Sequence, residues 1–189
     1  MIKDALLKRR SIYALNKEIG MSDEDIQALV EDMVRLVPDA FDMKSQKVVL
    51  ALGDKHDKLW DAIYDEFGGK VAREKIDSFK AGYGTVLYFY DSDVVKSMQE
   101  QFHRYADNFP IWANQSNGML QISIWTALAE KGIGANLQHY NPVIDDKMKK
   151  MFDIPEGYVL LAQMPFGGIE SFPDAKDVED ISKRVKVFK

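Results

Sequence analysis

The chain has 189 residues, 46% hydrophobic and 29% charged, with 25 basic against 30 acidic side chains for a net charge of −5. These values fit one globular domain over residues 1–189 and exclude a disordered or fibrous chain, while the acidic balance argues against nucleic acid or an anionic membrane as partner. The absence of cysteine excludes a disulfide scaffold, a thiolate nucleophile and zinc–thiolate or iron–sulfur sites.

Arg9-Arg10-Ser11 closes a first short helix. A flavin or nucleotide phosphate is a dianion that needs two or more cationic donors plus hydroxyl or backbone donors, and this run can supply them. It can equally be a solvated basic helix end that complements the helix dipole. The preceding segment lacks the apolar core of a secretory signal. No run of about 18 apolar residues is present to cross a bilayer, so the expected location is the cytoplasm.

Ser22-Asp23-Glu24-Asp25 resembles a capping box with Ser22 as N-cap. Behind it Ile26, Leu29, Val30, Met33, Val34 and Val37 recur every three or four residues as an amphipathic stripe, which Pro38 stops. Asp54 is expected to cap a second helix carrying Leu59, Trp60, Ile63, Tyr64 and Phe67, with Gly68-Gly69 as its exit. Runs rich in β-branched and aromatic residues predict strands at 47–52, 83–90 and 158–164, with a shorter one at 133–137. Helices fall between these strands in pairs or triplets without strict alternation, which predicts an α+β fold.

The longest predicted helix covers 110–130 and is apolar nearly all round, as befits a core helix or one packed against another subunit. Its small and polar residues Gln115, Ser116, Gly118, Gln121 and Ser123 would allow close approach of another helix or face a ligand. The segment 132–142 combines glycines with Asn136, Gln138, His139, Tyr140 and Asn141. It reads either as a loop against a flat heteroaromatic ring or as a helix exit into an edge strand. Gln163-Met164-Pro165-Phe166-Gly167-Gly168 predicts a tight reversal that brings backbone close to a ligand. Lys176 and the basic tail Lys183, Arg184 and Lys186 follow.

No phosphate-binding Gly-rich loop, dinucleotide fingerprint or nucleophile elbow occurs. His56, His103 and His139 lack metal-ligand spacing, so no metal is expected.

The ordered set of motifs resembles the nitroreductase superfamily, and within it a short bacterial and fungal branch. It comprises Arg9-Arg10-Ser11-Ile12-Tyr13-Ala14-Leu15, Leu59-Trp60-Asp61, Gly118-Met119-Leu120-Gln121 and Trp125-Thr126-Ala127-Leu128-Ala129-Glu130. Leu137-Gln138-His139-Tyr140-Asn141-Pro142, Ala162-Gln163-Met164-Pro165-Phe166-Gly167 and Arg184-Val185-Lys186-Val187-Phe188 complete it. The resemblance implies a central, mostly antiparallel sheet flanked by helices, in an intertwined homodimer with two FMN sites at the interface. It implies hydride exchange between NADH or NADPH and FMN N5, then ping-pong reduction of nitroaromatics, quinones or related electrophiles. Carried over by residue, Arg9, Arg10 and Ser11 hold the FMN phosphate and ribityl chain, and Lys176 and Arg184 add charge. Gln138, His139 and Tyr140 lie near the isoalloxazine, with Phe166 and Gly167 close by. Because the cofactor carries the chemistry, no catalytic acid or base is expected.

One loop departs from the pattern. The branch has Pro-Ser-Ala-Phe-Asn-Ser-Gln-Ser where this chain has Pro38-Asp39-Ala40-Phe41-Asp42-Met43-Lys44-Ser45. Asn-to-Asp exchange replaces a donor-acceptor amide with an acceptor-only anion, unfavourable near an electron-rich reduced flavin. Lys44 could offset it by pairing with Asp42 or by sitting over the ring edge. FMN retained with altered potential or substrate range is one reading of the loop. A flavin-binding or flavin-free regulatory protein on the same scaffold is the other.

Overall fold

The computed structural model describes residues 2–177 and 179–189. In chain order its elements are α1 (Ile2–Lys8), β1 (Leu15–Asn16), α2 (Asp23–Leu36), β2 (Gln46–Leu52), α3 (Asp54–Glu66), α4 (Arg73–Lys80) and β3 (Gly84–Asp91). There follow α5 (Ser92–Gln101), α6 (Phe109–Glu130), β4 (Gly134–Ala135), α7 (Asp145–Phe152) and β5 (Tyr158–Ile169), with 3-10 turns at Ala40–Asp42 and His103–Asn108. The fold is α+β. Its sheet runs β1-β5-β3-β2, with β4 also on β5, and every strand pair is antiparallel.

α2 starts where the capping box predicts. Ser22 Oγ accepts from the Asp25 N–H and the Asp25 carboxylate accepts from the Ser22 N–H. The helix ends at Leu36 because Pro38 forces Val37 into an extended conformation, ψ 123°. α3 corrects one expectation: its N-cap is Gly53, with φ 52°, and Asp54 is the first helical residue without a capping bond. Asp54 and Asp57 instead sit in the first turn, where negative charge complements the helix dipole.

β3 is buried on both faces. Leu87 and Phe89 point into a core with α3, α4 and α7, while Val86 and Tyr88 point into a second with α2 and α6. Such two-sided burial explains why 83–90 reads as a continuous apolar run rather than an alternating one. Tyr88 pairs with Ala162 but Phe89 pairs with Leu160, so Leu161 is the extra residue of a bulge. The side-chain phase of β5 inverts there. Leu160 therefore joins the first core, and Ala162 and Met164 the second.

The expected reversal at 165–168 does not occur, and β5 runs on to Ile169. Pro165 pairs opposite Thr85 and its carbonyl accepts from the Asn136 N–H. Gly167 and Gly168 serve close packing instead of a turn. A Cβ at Gly167 would meet Tyr83 N at 3.0 Å and Gly82 Cα at 3.1 Å. The strand expected at 133–137 shrinks to Gly134–Ala135 plus an isolated bridge between Gln138 and Gln163.

A polar knot lies inside the first core. Thr85 Oγ1 accepts from Trp60 Nε1 at 2.9 Å and contacts His56 Nδ1 at 2.8 Å, while His56 Nε2 lies 3.1 Å from the Lys80 carbonyl. The Lys80 carbonyl can only accept, so Nε2 carries the proton and donates to it, and the unprotonated Nδ1 accepts from the Thr85 hydroxyl. Burial drives the His56 pKa down to about 4. The unfolded chain therefore binds a proton that the folded chain refuses as pH falls below about 6.5. Stability contributed by neutral His56 is fully present above that value and is lost toward pH 4, by about 3 kcal/mol in all. Urea titrations from pH 7 to pH 4 are expected to show this loss, and a flat profile would contradict the burial. Thr85→Val leaves two buried ring nitrogens without their partner, and a loss of about 2–4 kcal/mol is expected in the same titration at neutral pH.

Candidate functional site

Two groups of polar residues stand out, at opposite edges of the sheet. The first lies at the end of α1. Arg9 stacks its guanidinium over Trp125 of α6 at 4.3 Å, and Arg10 Nη2 donates to the Asp174 carbonyl at 2.7 Å. Among the described residues neither arginine pairs with a carboxylate. Burial, and then the neighbouring Arg10, hold Arg9 below the usual guanidinium pKa. Two adjacent cations with no anion between them carry an unmet demand for one. Ser11 bridges to Ala135, and the Ile12 N–H donates to the Ala135 carbonyl. The hook to Asp174 brings the exposed Lys176 to the same end of the molecule.

Around this end a chain of amides fixes the segment after β4. Asn136 Nδ2 donates to the Ile12 carbonyl at 2.8 Å, and Gln138 Nε2 donates to Asn136 Oδ1 at 2.7 Å. Gln163 Oε1 accepts from the Tyr140 N–H at 2.7 Å, and the backbones of Gln138 and Gln163 exchange both bonds. Gln138 is half-buried and His139 exposed. Tyr140 turns inward, where its ring packs edge-on to Trp60 and Phe67 and its hydroxyl has no partner. Phe166 is fully buried, and its carbonyl is taken by the Tyr83 N–H. Arg184 is paired with Glu179 at 2.7 Å, so in the single chain it does not join Arg9 and Arg10.

The second group is the loop before β2. Asp39 accepts from the Ala40 N–H and from both the N–H and hydroxyl of Ser45. Asp42 and Lys44, both highly exposed, pair at 3.5 Å. Phe41, Asp42 and Lys44 have φ of 56°, 51° and 56°, a region that side chains other than Gly, Asn and Asp adopt rarely. The loop is anchored on α6: Ser116 Oγ donates to the Pro38 carbonyl at 2.8 Å and Gln46 Nε2 donates to Ser116 Oγ at 2.8 Å. Ser116 and Trp125 are nine residues apart on one helix, so the two groups lie about 14 Å apart along its axis.

The hollows follow these two groups. A small one of about 180 Å³ adjoins Arg10, between Ile12, Ala129, Ile133 and Phe172. A trough of about 1250 Å³ runs along β2, lined by Val30, Val34, Val48 and Leu50 and rimmed by Asp42, Lys44 and Lys47. The larger hollow is therefore not beside the arginines; it is the open flank of an edge strand.

The sequence matches the model of the Nitroreductase family over residues 6–168. A nitroreductase of Saccharomyces cerevisiae, FRM2, is 32% identical over 176 residues, 92% of this chain and 90% of its own. The nitroreductase CinD from Lactococcus lactis superposes over the whole of both chains. In complex with chloramphenicol it gives a TM-score of 0.95 at 42% identity, and in complex with 4-nitrophenol 0.93 at 41%. A protein from Exiguobacterium sibiricum solved in complex with FMN shares the fold, with a TM-score of 0.77 over 100% of this chain and 97% of its own, at 10% identity.

Proposed function

The chain belongs to the nitroreductase family and is an oxidoreductase of that type. From that premise we propose that it works with FMN, takes hydride from NADH or NADPH, and reduces nitroaromatics, quinones or related electrophiles. The observation that carries the reading is the Arg9–Arg10 pair, oriented by Trp125 and Asp174 and lacking any carboxylate among the described residues. That donor set fits a phosphate dianion: two guanidinium forks, the Ser11 hydroxyl and the nearby Lys176. The FMN in the E. sibiricum structure and the nitro compounds held by the L. lactis relative support the same reading.

In this proposal Arg9, Arg10, Ser11 and Lys176 bind the phosphate end, and Gln138, His139 and the backbone beside them face the ring. Tyr140, Phe166 and Gly167 hold that backbone in place from behind. The Asn136–Gln138–Gln163 amide chain keeps the segment from moving when the cofactor exchanges substrates. Bound FMN supplies the acceptor and donor of hydride at N5, so the protein contributes binding, orientation and charge. The Asp42–Lys44 pair sets the local charge at the second group. Asp42→Asn leaves Lys44 unpaired and is expected to move the flavin midpoint potential to a more positive value, read by dye-coupled titration. An unchanged potential would separate this loop from the ring.

We further infer a homodimer with the two FMN sites at its interface. Ile111, Met119 and Ile122 are 54%, 43% and 38% exposed, and with Gln115 and Gly118 they form one uncovered stripe on α6. Beyond β5 the tail carries Ile181, Val185, Val187 and Phe188, all exposed by more than half. Val185-Lys186-Val187 alternates as a strand does. The trough beside the free edge of β2 is the complementary surface for such a strand from a second copy, which makes the dimer intertwined and closes an edge that otherwise invites aggregation.

Incubation with excess FMN, desalting and a visible spectrum test the cofactor assignment. Retained flavin, with Arg10→Ala impaired, is the expected result. A colourless native protein would favour a flavin-free regulatory role.

A further inference from the structure

Asn136 is fully buried at the exit of β4 and makes a bond at each end of its side-chain amide. Nδ2 donates to the Ile12 carbonyl at 2.8 Å, and Oδ1 accepts from Gln138 Nε2 at 2.7 Å. The sense of both bonds is dictated by chemistry. A backbone carbonyl can only accept, so the nitrogen of Asn136 must face Ile12 and its oxygen must face Gln138. That oxygen also can only accept, so Gln138 turns its nitrogen inward. Reversing either amide would set two acceptors against each other at these distances and leave both unsatisfied.

The backbones on either side are held separately. The Gln138 N–H donates to the Gln163 carbonyl at 2.7 Å, and the Gln138 carbonyl accepts from the Gln163 N–H at 2.9 Å. The Ile12 N–H donates to the Ala135 carbonyl at 2.9 Å, and a Cβ at Gly134 would meet the Ile12 side chain at 3.0 Å. Gln163 therefore sets where Gln138 stands, and Asn136 sets which end of the Gln138 amide points outward. The end left over is Oε1, to which none of the described residues donates.

We propose that Asn136 is a positioning residue for the flavin: through Gln138 it decides which end of an amide meets the ring, and it turns an acceptor oxygen there. The assignment rests on the reading above that Gln138 faces the isoalloxazine, and adds to it the polarity of that contact. An oxidised isoalloxazine presents N3–H as a ring donor, and a reduced one presents N5–H as well. An acceptor held against the ring therefore gains on reduction and raises the midpoint potential. An amide free to turn would offer its N–H groups to the oxidised ring instead, and that gain would be lost. Asn136 itself touches neither flavin nor substrate and transfers no proton.

The test is a double-mutant cycle read in the midpoint potential of the FMN-loaded protein, by dye-coupled titration. Asn136→Leu removes both bonds at similar volume, and Gln138→Met removes the outward acceptor at similar length. Each is expected to shift the ratio of reduced to oxidised flavin about five- to tenfold toward the oxidised form, which is about 20–30 mV to the negative for a two-electron couple. The doubly substituted protein is expected to match Gln138→Met, because Asn136 acts through Gln138 alone. A merely structural Asn136 would lower the melting temperature and leave the potential where it was. Asn136→Ser replaces Asn136→Leu if the latter does not fold, and Gln138→Met tests the outward oxygen in either case. An unmoved potential in either single variant, a shift to the positive, or effects that add in the double variant would overturn the proposal. A native chain that retains no FMN overturns the oxidoreductase reading itself, so the two failures are distinct.

Discussion

Arg10→Ala is expected to weaken FMN binding by about 10- to 100-fold, because a hydrogen bond to a charged group contributes roughly 1.5–3 kcal/mol. Arg10 is held by one bond from Nη2 to the Asp174 carbonyl, at 2.7 Å, which orients the guanidinium while leaving its other N–H groups for the phosphate. Arg10→Lys keeps the charge but loses the planar fork, so an intermediate loss is expected. Arg9→Ala removes a second charge and the stacking on Trp125, and some loss of α1–α6 packing accompanies it. Equilibrium titration of apoprotein by flavin fluorescence quenching measures all three. Equal affinity in native protein and Arg10→Ala would detach the phosphate from this helix end.

The second large effect concerns assembly. Val185→Asp combined with Val187→Asp places two anions where the tail presents its apolar side chains, and leaves Arg184 intact. Full burial of a valine is worth roughly 1.5–3 kcal/mol, and an unpaired buried carboxylate costs more. The dimer dissociation constant is therefore expected to rise by at least about 100-fold, and FMN retention to fall with it. Light scattering across a concentration series reads the first, and flavin absorption after gel filtration the second. A doubly substituted protein that remains dimeric would leave the α6 stripe as the interface and remove the tail from it.

Much of the fold was legible in the sequence because the signals were local. The Ser22 box, the stop at Pro38, the exit at Gly68-Gly69 and three strand runs all depend on neighbours within a few residues. β1 was not legible: Leu15–Asn16 is a strand only because β5 continues past Pro165 to receive it. For the same reason the sequence alone presents Gly167 and Gly168 as a turn, since the chain segments that crowd them, at Asn16 and Gly82, are distant in sequence. Nor does any local pattern distinguish a helix N-cap at Gly53 from one at Asp54.

The candidate site was legible as a list of residue types and not as an arrangement. Arg9, Arg10 and Ser11 stand together because they are consecutive, whereas the hook from Arg10 to Asp174 spans 164 residues. The pairing of Asp42 with Lys44, weighed from charge alone, is present in the folded loop. Tyr140 and Phe166 could not be sorted from ring-facing residues by type, because an inward-turned aromatic and a ligand-facing one have the same letter. The aromatic cluster of Phe41 with Phe102 and Trp112 is not legible in the sequence: its members are spread from position 41 to position 112, and nothing local marks a positive φ at a phenylalanine.

The most direct test of the account is the visible absorption of the purified protein after incubation with FMN and desalting, followed under anaerobic addition of NADH or NADPH. The account predicts flavin bands at a stoichiometric level that bleach on addition of the reduced nicotinamide and return with a nitro acceptor. A protein that emerges without flavin, or whose bound flavin stays oxidised with both nicotinamides, would contradict it.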